Sequence, residues 1–83
     1  TPEIAQRFNI DESAGVIVTQ VESGSKGDGA DVRVGDIIKE INRQLVKNTA
    51  EYKSLVREID SGETVHMFIR RQNAGFLVAK LVK

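Results

Sequence analysis

The chain has no cysteine, and it has only one proline and one histidine among its 83 residues. Without cysteine there is no disulfide framework, no thiolate metal site and no thiol chemistry. A serine or cysteine triad would have to be built on His66, which lies beside Met67 in a predicted strand with no nucleophile motif nearby. We therefore predict no catalytic residue and no cofactor in this chain.

Net charge is also missing, because 12 basic and 12 acidic residues give a formal charge of zero. Without a long-range field to hold phosphate groups, nucleic acid is not a predicted partner. No apolar run approaches the roughly 18 to 20 residues of a membrane span, so membrane insertion is not predicted either. At 83 residues and 40% hydrophobic content, the chain suits one small domain with one core.

The pattern of apolar residues predicts a mixture of strands and helices. Thr1-Pro2-Glu3 is a helix-start signal, and it predicts a short helix to about Asn9. Three glycines between Gly24 and Gly29 predict a loop or at most one helical turn. Runs of β-branched or alternating apolar residues predict strands over 15–21, 37–41, 64–71 and 76–82, with a short extended piece at 45–46.

Several strand details follow from residue parity. Strict alternation cannot place both Ile38 and Ile41 in the core, so we predict a bulge or strong twist between them. Asn42 suits the left-handed conformation of the following turn. The inward face of the last strand stays open, because Leu77, Ala79 and Leu81 compete with Phe76, Val78 and Val82.

The strongest predicted helix begins after Asn48. Asn48 and Glu51 have the spacing of a capping box. An apolar stripe of period 3.6 then runs to about Asp60, formed by Tyr52, Leu55, Val56 and Ile59. The stripe alone is also explained by a helix that simply packs on a sheet.

Two clusters of charged residues have structural rather than chemical interpretations. The carboxylates of Asp28, Asp31 and Asp36 lack the regular spacing and closing glutamate of a calcium loop, so no metal site is predicted. The basic residues of the last two strands are interpreted as the solvent-exposed face of a hairpin, namely Arg70, Arg71, Lys80 and Lys83.

The segment from Gly24 to Asn42, with its Gly35-Asp36 turn and the following Ile-Ile-Lys-Glu-Ile-Asn strand, resembles the signature of a PDZ domain. It is most similar to the circularly permuted bacterial form found in periplasmic trypsin-like serine proteases of the HtrA (Do) family. The resemblance extends over nearly the whole chain. It implies an α+β fold, a PDZ-like partly open β-barrel or sandwich with two helices, over residues 1–83.

In such domains an extended peptide adds as a strand beside the sheet, and a loop of amides captures its carboxylate. The resemblance places that loop and the docking strand upstream of Thr1, so we expect residues 1–83 to be an N-terminally incomplete domain. Only the helical wall is carried over to this sequence. It predicts that Tyr52 and Ile59 face the core, and that the groove is lined by Thr49, Lys53, Leu55, Val56 and Arg57.

The resemblance therefore predicts a peptide-binding regulatory or substrate-recognition module of a periplasmic HtrA-like serine endopeptidase, with cleavage in a separate domain. Expected partners are extended peptides or carboxyl termini of unfolded proteins, and other domains of the parent protease. Without the docking strand, the strand at 15–21 has an open edge that predicts strand-edge self-association. The alternatives are a site-two or carboxyl-terminal processing protease as parent, a non-enzymatic scaffold of envelope assembly or secretion, and an autonomous enzyme.

Overall fold

A single antiparallel sheet of five strands forms the frame of the molecule in a computed structural model, which describes residues 14–83. The strands are β1 Val16–Ile17, β2 Ile37–Ile41, β3 Gln44–Leu45, β4 Thr64–Arg71 and β5 Gly75–Val82. Their order across the sheet is β1-β2-β4-β5, with β3 paired to β2. The predicted helix over 1–9 lies outside the described residues.

Two helices join the strands within residues 14–83. The first, α1 (Lys26–Gly29), is a single turn capped by the Ser25 hydroxyl, as the glycine content predicts. The second, α2 (Thr49–Glu58), begins at the predicted capping box: Asn48 Oδ1 accepts from the Glu51 amide at 2.9 Å, and Glu51 Oε2 accepts from the Lys47 amide at 2.8 Å. It ends two residues before the predicted end at Asp60.

The core lies between one face of the sheet and α2. The residues of β4 that face the core, namely Val65, Met67 and Ile69, are buried. Ile38 and Ile41 are both buried because the β2–β4 register shifts between Ile38 and Glu40, which confirms the predicted irregularity. In β5 the residues that face the core are Leu77, Ala79 and Leu81, one of the two alternatives that the sequence left open.

The outer face of the sheet carries apolar residues that the core does not use. Phe68 and Phe76 stack with ring centroids 5.1 Å apart. Phe76, Val78 and Val82 are exposed, as is Ile17 in β1. The second parity set of β5 therefore faces solvent.

The first strand is shorter than predicted, with two residues in place of seven. The chain nevertheless continues alongside the segment before β2, because the Val18 amide donates to the Asp36 carbonyl and the Val18 carbonyl accepts from the Gly35 amide, both at 2.8 Å. Val16, Val18 and Val21 are partly buried and pack against the core. Residues 14–83 contain no helix of the length and apolar character that a membrane crossing needs.

The backbone at Gly15, just before β1, lies so close to β2 that there is no room for a side chain. Its φ is +133°, and a Cβ there would lie 2.6 Å from Ile37 Cγ2 and 2.9 Å from the Ile38 carbonyl oxygen. Gly15 also donates its amide to the Lys47 carbonyl at 3.3 Å, which fastens the start of β1 next to the start of α2.

We expect Gly15→Ala to lower the free energy of unfolding by about 2 kcal/mol, because the substitution adds both backbone strain and a clash with backbone. Gly29→Ala is the matched control, since a Cβ at Gly29 meets nothing within 4 Å and its φ is not positive. Urea unfolding of both variants measures the difference. Equal stability of the two variants would contradict the close approach at Gly15.

Candidate functional site

The outer edge of β1 is open within residues 14–83. No described strand pairs with β1 on the side away from β2. Since Val18 directs its amide and carbonyl to the Gly35-Asp36 turn, its neighbours Ile17 and Thr19 direct theirs to the outer side. These backbone groups can accept and donate the hydrogen bonds of an added strand.

The helix α2 is only partly covered by the rest of the described chain. It packs on the core face of the sheet next to β2, the strand that pairs with β1. None of its ten residues is buried. Its apolar residues Tyr52, Leu55 and Val56 reach the core cluster but each keeps part of its surface accessible.

The five predicted groove residues divide into two groups. Thr49, Lys53 and Arg57 are exposed on α2, one helical turn apart from each other. Leu55 and Val56 are half-buried and pack against the core cluster. These positions agree with a groove wall that is apolar near the core and polar at the solvent-exposed side. The role of the five residues in binding stays a prediction.

A buried carboxylate holds the turn that precedes β2. Asp36 is 1% exposed, and Arg71 at the end of β4 grips it with two parallel hydrogen bonds, Nε to Oδ1 and Nη2 to Oδ2, both 2.9 Å. The Arg33 amide donates to the same Oδ2 at 2.9 Å. Fork-to-fork pairs of this kind are strong and fix orientation.

The hydrogen bonds from the Arg71 side chain lower the pKa of Asp36 below its ordinary value, against the opposing effect of burial. The same contact raises the pKa of Arg71. Arg71 Nη2 also donates to the Asp31 carbonyl at 2.6 Å. Asp31 has a φ of 65°, a left-handed conformation that aspartate tolerates better than most residues.

This network corrects the interpretation of the basic residues. Arg71 is not on a solvent-exposed face, because its side chain is 16% exposed and bonded to Asp36. Lys83 donates its ammonium to the Val56 and Ile59 carbonyls and so caps the last turn of α2. Neither contact has a local signal in the sequence, since each joins residues 24 or more positions apart.

The other residues considered for chemistry are also placed. His66 is exposed on β4, as predicted, and it borders an open depression of about 550 Å³ on the outer face of the sheet, next to Thr64 and Phe68. Asp28 accepts from the Gly24 amide at 2.9 Å. Asp28 therefore makes a local contact, whereas Asp31 and Asp36 are both bonded to Arg71.

Comparisons with known proteins agree with this geometry. Residues 17–71 match the family described as the PDZ domain. Over 69 residues, 83% of this chain, the sequence is 33% identical to the periplasmic pH-dependent serine endoprotease DegQ of Escherichia coli (strain K12). The match covers 15% of DegQ, so the chain spans a small part of that relative.

Solved structures show the same fold. An HtrA-type protease, AlgW with decapeptide, superposes with a TM-score of 0.76 at 22% identity, over 99% of this chain and 25% of that one. A protein from Geobacillus thermodenitrificans solved in solution superposes with a TM-score of 0.73 at 29% identity, over 88% of this chain and 82% of that one. The predicted α+β, PDZ-like fold is confirmed, with its strands in one open sheet.

The chain belongs to the PDZ domain family. It is related to the DegQ and DegP-like periplasmic serine endoproteases, which confirms the predicted relationship to the HtrA group. A PDZ domain by itself is not a catalytic unit, and the relatives are much longer serine endoproteases. The incomplete N-terminus stays a prediction.

We expect the Asp36 contact to stabilise the fold above about pH 4 and to be lost as pH falls, because a carboxyl with a lowered pKa in the folded state binds fewer protons there than when unfolded. Asp36→Asn keeps the shape but removes this contribution. The stability difference between wild type and Asp36→Asn, from urea unfolding, should therefore shrink from pH 6 towards about pH 2.

Glu22→Gln is the control for this measurement, since Glu22 is exposed. A stability difference for Asp36→Asn that is independent of pH, or equal to that of Glu22→Gln throughout, would contradict the bidentate contact.

Proposed function

We propose that this PDZ domain is the substrate-recognition or regulatory module of a periplasmic HtrA-like serine endopeptidase that acts on unfolded proteins. It holds an extended segment or a carboxyl terminus, while cleavage takes place in another domain of the parent protein. The periplasmic location and the endopeptidase parent are supported by the names of the relatives.

The observation that carries the proposal is the combination of an open strand edge and an unburied helix. The outward amides and carbonyls of Ile17 and Thr19 supply sequence-independent hydrogen bonds to a guest strand. The half-buried Val56 and Leu55 offer an apolar surface to its side chains. The HtrA-type protease AlgW, which shares this fold and was solved with a decapeptide, is consistent with such a use of the groove.

The proposed groove residues have distinct roles. Leu55 and Val56 form the apolar part of the groove wall, and burial of a peptide side chain against them supplies affinity. Thr49, Lys53 and Arg57 line the solvent-exposed side, where exposed polar groups select among peptides more than they add affinity.

A non-enzymatic scaffold of envelope assembly or secretion is the competing function. It uses the same groove but has no reason to distinguish a free carboxylate from an amide. A second copy of the chain, paired through the β1 edge, could also occupy the groove. Sedimentation velocity over a wide concentration range detects such self-association. A strict monomer at all concentrations would exclude self-pairing.

In the parent protein we expect a peptide with a free carboxyl terminus to bind at least about tenfold more tightly than its amidated form, since a charge-assisted contact is lost. Val56→Thr should lower the affinity for both peptide forms about threefold or more, because it places a hydroxyl in the apolar part of the groove wall. Fluorescence anisotropy measures the affinities, and Ser54→Ala, on the opposite side of α2, is the control.

Equal binding of the free and amidated peptides would favour the scaffold function over substrate recognition. Unchanged affinity in Val56→Thr would remove α2 from the binding site.

A further inference from the structure

The charged residues of α2 are segregated by sign across its apolar stripe. At about 100° per residue, Lys53 and Arg57 follow Thr49 on the Val56 side of the stripe. The acidic residues Glu51 and Glu58 fall on the Leu55 side. A domain with no net charge therefore presents a cationic flank along one side of this helix.

The two cations of this flank have no protein partner in the described part of the chain. Neither Lys53 nor Arg57 forms an ion pair within residues 14–83, and both are exposed. Like charges four residues apart on a helix repel each other. An anionic partner that reaches both would relieve this repulsion.

The acids of α2 do not neutralise the flank. Glu51 accepts a hydrogen bond from the Lys47 amide at the start of the helix, which directs it away from Lys53. Glu58 is the last helical residue and lies on the opposite side of the stripe from Arg57. The acids of α2 therefore leave the flank of Lys53 and Arg57 positively charged, with Lys53 nearer to Val56 around the helix.

We propose that the groove prefers extended peptides with acidic side chains at alternate positions. This inference rests on the proposed peptide-binding function and names the class of peptide. The rise between Lys53 and Arg57 along the helix is about 6 Å. Side chains at positions i and i+2 of an extended strand lie about 6.6 Å apart on one face, so two alternate acids match the two cations.

Three fluorescent peptides of equal length and free carboxyl terminus test the match. The first has Glu at positions i and i+2, the second has Glu at i and i+1 with the same net charge, and the third has Gln at i and i+2. We expect the first to bind about tenfold more tightly than the third and about threefold more tightly than the second at low salt.

The preference should fall as ionic strength rises to about 0.5 M, because the charges are exposed and screened. Lys53→Gln/Arg57→Gln should bring the three peptides within about twofold of each other. Glu58→Gln, on the other flank, should leave their order unchanged. Circular dichroism confirms that the variants keep their helix content.

The outcomes separate the two levels of the proposal. Equal binding of all three peptides overturns the acidic preference and leaves peptide binding intact. Equal binding of the two acidic peptides, both tighter than the neutral one, overturns the alternate spacing. If none of the three binds to the chain or to its parent, the proposed function fails and the preference fails with it.

Discussion

The buried carboxylate of Asp36 is the contact on which the rest of the site depends. Arg71 and the Arg33 amide hold it from two sides, and these bonds fix the turn before β2. The backbone of Gly35 and Asp36 in that turn forms hydrogen bonds with Val18, and these bonds keep the chain after β1 extended. An ion pair at one end of β4 therefore sets the position of the strand edge at which a guest chain would add.

The helix α2 is held at its ends and left open along its side. The capping box fixes its first turn, Lys83 caps its last carbonyls, and no residue between them is buried. A helix whose stripe was fully buried would stabilise the domain more but would offer no surface to a ligand. The partly covered stripe suits a binding wall whose occupant completes the packing.

Local signals in the sequence predicted the elements well, whereas long-range polar contacts were beyond them. The capping box at Asn48 and the conflict between Ile38 and Ile41 depend on neighbours in sequence, and both predictions are confirmed. The Asp36–Arg71 pair joins residues 35 positions apart, and a Gly-Asp turn alone does not reveal its partner. The groove residues of α2 came from family resemblance and helical register, and their binding role stays a prediction.

Amide hydrogen exchange on addition of an extended peptide tests whether a guest chain lies between the β1 edge and α2. We expect new protection at the outward amides of Ile17 and Thr19, with no change at Val18, whose amide already donates to the Asp36 carbonyl. Protection confined to the opposite edge of the sheet, at Val78 and Lys80 of β5, would contradict it.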